Sequence, residues 1–442
     1  MKSKKVAFIQ PEVGFKPYSA LGTRPLGILY LASALKRDRQ DYDIQCFDED
    51  SRPVLKNAEI NEKFLLEADF IGISGLTSTI NRAYSLADKL RDLRSQGKTN
   101  PNLHIALGGI HATFCPDEAI NHSDVVLRGE GEEVITELVD GKPKGIVRGE
   151  KSDLDKLADP DYSLLHYKKK RLTDYVYGNL ASVQLSRGCS FNCDFCSVRG
   201  MFGPPRNENP EKSFYKIENL VKQGFRRGFF HDDNFSDVKP YRDELFDRLI
   251  RAGLKFNYIV QDRIDALQEE GYVEKMARSG CTMVMFALES PNEEFLKSHN
   301  KELDLDKVER GVKLLRKNRI VPYAFCMIEP ENSEMTKHTI KLLRELKIKY
   351  AQFTILTPFP GSVLYQQAKD KIHAKWEYFN GLTWVTENKE KAREAGKHLS
   401  ETWREFYSPI RASFDLLKFQ FPRAALRLYG WNVGRKIMKI QP

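Results

Sequence analysis

The chain has 442 residues, 41% apolar and 30% charged, with a formal net charge of +9. That length supports two or three domains, each with its own core. Its composition excludes a bilayer span, because no apolar run is long enough, and a disulfide framework, because the seven cysteines are odd in number and three share one loop. A reducing cytoplasm is therefore expected. The basic start before Val6 precedes an apolar stretch too short for a signal peptide, so it is expected to be a first strand.

Residues 4–138 alternate short apolar runs with helical patterns. Strands are expected at Val6–Ile9, Asp43–Phe47, Phe70–Ser74, His104–Leu107 and Val125–Leu127, and helices near Leu26–Lys36, Thr79–Leu93 and Gly131–Leu138. Strands spaced by helix-length segments imply βαβ units and a doubly wound parallel sheet, which binds ligands at the carboxyl ends of its strands. Turn-formers occupy those ends: Ser74-Gly75-Leu76-Thr77-Ser78, Gly108-Gly109-Ile110-His111 and Arg128-Gly129-Glu130-Gly131-Glu132. Glycine lets backbone approach a ligand, although it also simply ends strands. Together with the helix start at Arg24–Ala32, these segments resemble a cobalamin-binding domain. The resemblance implies cobalamin contacts from Ser74, Gly75, Thr77, Gly108, Gly109, His111, Gly129, Glu130 and Gly131. Such domains that supply a lower axial histidine carry it after the first strand. The first histidine here is His104, so no imidazole from that loop is expected on cobalt. The alternative is a flavodoxin-like domain that holds no cofactor.

Residues 141–178 are rich in Lys, Asp and Pro and are expected to form a connector after a first domain at 1–140. From Ala181 six further strands are expected, each followed by a helix: Ser182–Leu185, Gly228–His231, Phe256–Gln261, Met283–Leu288, Tyr323–Ile328 and Gln352–Leu356. Cys189, Cys193 and Cys196 follow the first of them as Cys-x3-Cys-x2-Cys. Soft thiolates this close favour an iron–sulfur cluster or zinc. Structural zinc usually takes a fourth ligand from a second pair, and none follows. A chance group of buried cysteines is the bland alternative. The spacing resembles the radical S-adenosylmethionine (SAM) family. That resemblance implies a [4Fe–4S] cluster with one open iron, reductive cleavage of SAM, and a partial (βα)6 barrel at 179–370.

The remaining candidates lie at the carboxyl ends of the barrel strands, where chemistry collects in such folds. By resemblance Phe195 packs near the adenine, and Asp232 and Asp233 hold the SAM ammonium, the alternative being that one caps the next helix. Arg263 is expected to fork onto the SAM carboxylate or to form a barrel-rim salt bridge. Glu289 and Ser290 match the pair used near the SAM ribose and methionine. Residues 325–333 lack the glycines usual in the family, which puts adenine contacts there in doubt.

The fold class is therefore α/β: a cobalamin-binding-like doubly wound sheet, a partial radical SAM barrel, and a helical region at 371–442. In that last region Ile410, Phe414, Leu417, Phe419, Leu426 and Trp431 form an apolar stripe. Residues 401–442 hold eight Lys/Arg against three Asp/Glu, a net +5. A core face is the default, and an interfacial helix in peripheral membrane contact is the alternative. The basic residues lie among aliphatic and aromatic ones rather than in a run, which disfavours nucleic acid. The activity expected is cobalamin-dependent methyl transfer to an unactivated carbon of a small-molecule substrate, with a flavodoxin or ferredoxin as reductant. A radical cyclase or oxidoreductase acting on a tetrapyrrole is the alternative within the family. A tRNA methylthiotransferase would need a second cluster, for which only Cys46 and Cys115 are available, and a non-enzymatic carrier would not need the acidic and basic strand ends.

Overall fold

The computed structural model describes residues 3–12, 23–57, 59–166, 180–410, 412–413 and 421–441. The chain divides into two compact units, Met1–Ser186 with Gly200–Arg226, and Arg187–Arg199 with Arg227–Pro442.

In the first unit, six strands form one parallel sheet: β1 (Lys5–Gln10), β2 (Asp43–Asp48), β3 (Phe70–Ser74), β4 (His104–Gly108), β5 (Val125–Arg128) and β6 (Gly145–Arg148). Their order is β2-β1-β3-β4-β5-β6. The order reverses between β1 and β3, which opens a crevice at their carboxyl ends. Val6, Phe8, Ile73 and Leu107 are almost wholly buried, as expected for strands covered on both faces. Helix Leu26–Asp38 packs Ile28, Leu29, Ala32 and Leu35 into the core with Val6 and Phe8, and helix Ile80–Ser95 buries Ile80, Ala83, Leu86 and Leu90. Strand β6 lies inside the expected connector. It begins at Gly145, whose φ is +86°, and alternates half-buried with exposed residues, so no apolar run announces it.

The second sheet is also six-stranded, in the order β12-β11-β10-β9-β8-β7. Its strands are β7 (Leu180–Val183), β8 (Arg227–Phe230), β9 (Asn257–Asp262), β10 (Cys281–Glu289), β11 (Val321–Ile328) and β12 (Tyr350–Ile355). Each strand from β8 to β12 pairs in parallel with its sequence neighbour. Sequential order with a helix between successive strands is the pattern of a βα barrel that winds in one direction. Polar residues start several of these helices: the Asp304 side chain accepts from two backbone N–H groups of helix Leu305–Lys317, and Asn388 does so once for helix Lys389–Phe406.

The helical C-terminal region is present, but its packing face is not the expected stripe. Ile410 is 69% exposed, and Leu426 and Trp431 are half-buried. Phe414, Leu417 and Phe419 lie outside the described residues. The contact is made instead by Leu399, Trp403, Phe406, Val433 and Ile437. A Cβ on Gly430 would lie 2.5 Å from the Tyr407 ring, and one on Gly434 would lie 2.9 Å from the Ser400 carbonyl, so these glycines let helix Phe421–Ile437 approach helix Lys389–Phe406 closely.

Candidate functional site

The cysteine loop is fastened from several directions within the second unit. Gly188, at φ +92°, donates its N–H to Asp233 Oδ2 at 2.8 Å, and Ser190 N–H donates to Asp237 at 2.7 Å. Arg199 reaches back to the carbonyls of Cys189 and Ser190, both at 3.1 Å. Asp194, between two of the cysteines, is held at three points: its carboxylate meets His299 Nδ1 at 3.0 and 3.1 Å, its N–H donates to the His299 carbonyl, and its carbonyl accepts from Leu364 N–H at 2.9 Å. His299 also meets the Phe195 ring edge to face. His299→Ala should therefore loosen iron about 10- to 100-fold in a chelator challenge. His299→Gln should recover much of that loss, and iron retention unchanged in His299→Ala would make the contact incidental.

All three thiols are half-buried, and burial raises each of them, Cys196 to about 11. Opposing burial, the N–H groups of Phe191 and Val198 favour anionic sulfur at Cys189 and Cys196, and the charges of Lys301 and Arg263 favour it at Cys193. Hydrogen bonds and positive charge of this kind suit thiolates bound to iron and tune a cluster's potential. Among the described residues no three Cys, His, Asp or Glu converge as they would on a single metal ion. A cubane does not require that convergence, since each of its cysteines binds a different iron. The loop fits the cluster.

The residues expected around SAM lie at the strand ends, each with its own partners. Asp232 is wholly buried and paired at 2.8 Å with Arg242, also wholly buried, whose guanidinium lies 4.2 Å from the Phe235 ring centre. Neither aspartate caps the following helix, which starts after Val238 without a side-chain cap. Burial pushes Asp233 up to about 7 against the pull of the Gly188 N–H. Arg263 forms the rim salt bridge, forking onto Asp265 at 3.0 and 2.6 Å while its guanidinium stands 3.7 Å from the Phe191 ring centre. Ser290 Oγ donates to Glu329 at 3.0 Å, joined by Asn292 at 3.2 Å.

Glu289 stands at a β-bulge with φ +58°, a left-handed conformation that side chains rarely adopt, and is 5% exposed. Burial raises its carboxyl, and Lys301, 3.5 Å away, lowers it. Lys301 is the main residue that the sequence did not reveal. It belongs to no motif, and the turn at Asn300, φ +50°, carries it back toward Glu289.

In the first unit, two of the three expected turns come together beside the switch point. Gly75 N–H donates to the Gly108 carbonyl at 3.0 Å, and His111 N–H donates to the Gly75 carbonyl at 3.3 Å. Ser74 is half-buried and Thr77 buried. Gly109 has φ +90°, and a Cβ there would fall 2.8 Å from the Gly75 carbonyl and 2.9 Å from Ser74 Oγ. These glycines let the two turns pack backbone against backbone at the ends of β3 and β4, the edge at which a doubly wound sheet binds its ligands. The His111 ring is fully buried, and burial pushes it down to about 4. The third turn is packed differently. Glu130 is buried, pairs with half-buried Arg206 and accepts from Ser152 N–H. A Cβ on Gly131 would strike Leu127, and Gly129, at φ +94°, donates its N–H to Thr113 Oγ1.

The turns gathered at the switch point of one parallel sheet and the three-cysteine loop after the first strand of another are the two candidate cofactor sites of this α/β protein. A Radical SAM superfamily model matches residues 183–361, and a B12 binding domain model matches residues 19–139. An uncharacterized methyltransferase of Pyrococcus horikoshii is 30% identical across 83% of this chain and 84% of its own. The anaerobic magnesium-protoporphyrin IX monomethyl ester cyclase of Rubrivivax gelatinosus is 27% identical across 86% and 73%. In fold, the chain resembles the radical SAM methyltransferase TsrM of Kitasatospora setae, solved with tryptophan substrate and a SAM analogue, with TM-score 0.67, 15% identity, and 83% and 76% of the two chains covered. The chain belongs to the radical SAM enzymes that carry a cobalamin-binding domain, whose cofactors are a [4Fe–4S] cluster, SAM and cobalamin.

Proposed function

We propose that the chain transfers a methyl group to an unactivated carbon of a small molecule. The observation that carries this reading is the cysteine loop in a chain that also bears glycine turns packed together at the switch point of a doubly wound sheet. When bound, the cluster supplies the electron that splits the SAM sulfonium bond, and cobalamin supplies the methyl group. Cys189, Cys193 and Cys196 hold the cluster, with Phe195 beside the adenine. Asp233 fixes the turn at Gly188, and Asp232 positions that segment through Arg242. Glu289 and Lys301 present an anion and a cation to the amino-acid end of SAM, with Arg263 and Ser290 behind them. Ser74, Gly75, Thr77, Gly108 and Gly109 cradle cobalamin; His111 contributes its backbone, and Gly129, Glu130 and Gly131 shape the neighbouring wall.

The test is anaerobic reconstitution with dithionite and SAM, followed by assay for 5′-deoxyadenosine. Absence of that product from cluster-loaded protein would favour a carrier. Glu289→Gln and Lys301→Met should each weaken SAM binding about 10- to 100-fold, as expected for a lost charge-assisted hydrogen bond, with iron unchanged. Unaltered affinity in both would return the pair to a structural role.

The Rubrivivax relative supports a second reading, radical cyclisation of a tetrapyrrole. Transfer of label from methyl-deuterated methionine into the product separates the two, because cyclisation adds no methyl carbon. The reductant in this reading is a flavodoxin or ferredoxin, and the reduced thiols suit the cytoplasm. No helix among the described residues is long and apolar enough to cross a membrane. Exposed Leu428 and Met438 beside Arg435, Lys436 and Lys439 support peripheral membrane contact.

A further inference from the structure

Along β8–β12 the side chains alternate between two unlike faces. Phe230, Tyr258 and Phe353 point toward the helices: Phe230 stacks on Tyr258, Tyr258 Oη meets Ser279 at 2.6 Å, and Phe353 packs on Trp403 and Phe406. The opposite positions face the barrel interior, and most are only half-buried. Strand β11 alternates half-buried and buried through all eight of its residues. The interior is therefore not filled by its own side chains, unlike the packed core of a closed barrel.

The register sets out the chemistry of this inner wall. Gln261, Met285, Tyr323 and Tyr350 stand side by side, and one inward position further on come Ala287, Phe325 and Gln352. Neither row carries a formal charge. The charged groups, Arg263, Glu289 and Lys301, gather at the carboxyl rim near the cysteine loop. Two buried polar atoms lack a hydrogen-bond partner here. One is Oε1 of Gln352, a residue 2% exposed; the other is Nε2 of His231, which follows β8 with its ring 4.6 Å from Phe229 on the same face. Native structures rarely leave such atoms unpaired without a purpose. Burial pushes His231 down to about 4, so its ring is neutral at ordinary pH.

We propose that this wall recognises the substrate, with Gln352 and His231 bonding an uncharged polar group, a carboxamide, hydroxyl or heteroaromatic N–H, on an otherwise apolar molecule. The proposal rests on the radical SAM reading, since it assigns the substrate side of that site. A site built to bond such a group rejects analogues that leave its own polar atoms unpaired, and it holds no cation for a polyanion.

Shape-matched probes test this: 2-naphthamide, 2-naphthoate and naphthalene, titrated calorimetrically into anaerobically reconstituted holoprotein with SAM present. The amide should bind at least about tenfold more tightly than the other two. Gln352→Leu and His231→Phe should each bring it down to the level of naphthalene, with iron content and SAM affinity unchanged. Should His231→Phe lose iron, Gln352→Leu decides alone. Equal or tighter binding of naphthoate, an amide preference that survives Gln352→Leu, or no amide binding up to its solubility limit overturns the assignment. If the wild type forms no 5′-deoxyadenosine while the amide preference stands, the radical reading fails and the wall assignment holds.

Discussion

Replacing Cys193 with alanine should strip the protein of iron and sulfide and abolish formation of 5′-deoxyadenosine. The loop offers three thiols, and backbone contacts to Asp233, Asp237 and Arg199 leave it little freedom to recruit another donor. Two thiolates cannot hold a cubane against exchange with solvent and free thiol. Cys189→Ala and Cys196→Ala should behave alike. Cys46→Ala is the control. Its sulfur is fully buried in the other unit, 3.7 Å from the Ile28 carbonyl, and burial pushes the thiol far above the usual range. The measurement is iron and sulfide content with Mössbauer spectra of oxygen-free samples. Iron retained in Cys193→Ala, or lost equally in Cys46→Ala, would mean that the ligand set is wrong.

Arg242→Met should destabilise the second unit by about 3–5 kcal/mol, because it leaves the Asp232 carboxylate buried without its partner. The guanidinium also lies against the Phe235 and Tyr241 rings, 4.2 and 4.6 Å from their centres, and methionine replaces only part of that contact. The expected shift in unfolding temperature is roughly 10 °C downward. Asp232→Leu/Arg242→Met should regain most of the loss, since it leaves no charge of this pair buried alone, the Phe235 carbonyl losing the Arg242 Nε donor in both variants. Calorimetry on the three proteins decides. A double variant as unstable as Arg242→Met would show that the stability comes from packing around Arg242 and not from the ion pair.

The strand pattern was legible because buried parallel strands are continuous apolar runs. Phe70–Ser74 has the expected limits, and the other expected strands agree within a few residues. Strand β6 escaped because an edge strand with alternating exposure has no such run. Arg242 escaped because an arginine in a charged helix reads as a solvated residue, and only packing shows it wholly buried. At Ile410 the error ran the other way: apolar spacing along a helix marks a face without saying what covers it. The C-terminal helices meet through Gly430 and Gly434, whose lack of a side chain is no signal in a hydrophobic pattern.

The chemistry itself was written locally. Three cysteines within eight residues are legible as a candidate ligand set, because spacing along one loop is a property of the chain alone. Which charges face that loop was decided by the tertiary structure. Lys301 reaches Glu289 only through the turn at Asn300, Arg263 is engaged by Asp265, and Asp232 faces the helices while Asp233 faces the loop. Asp232 and Asp233 lie in the loop just beyond β8, where no sequence periodicity assigns a direction, so only the folded chain says which neighbour each carboxylate meets.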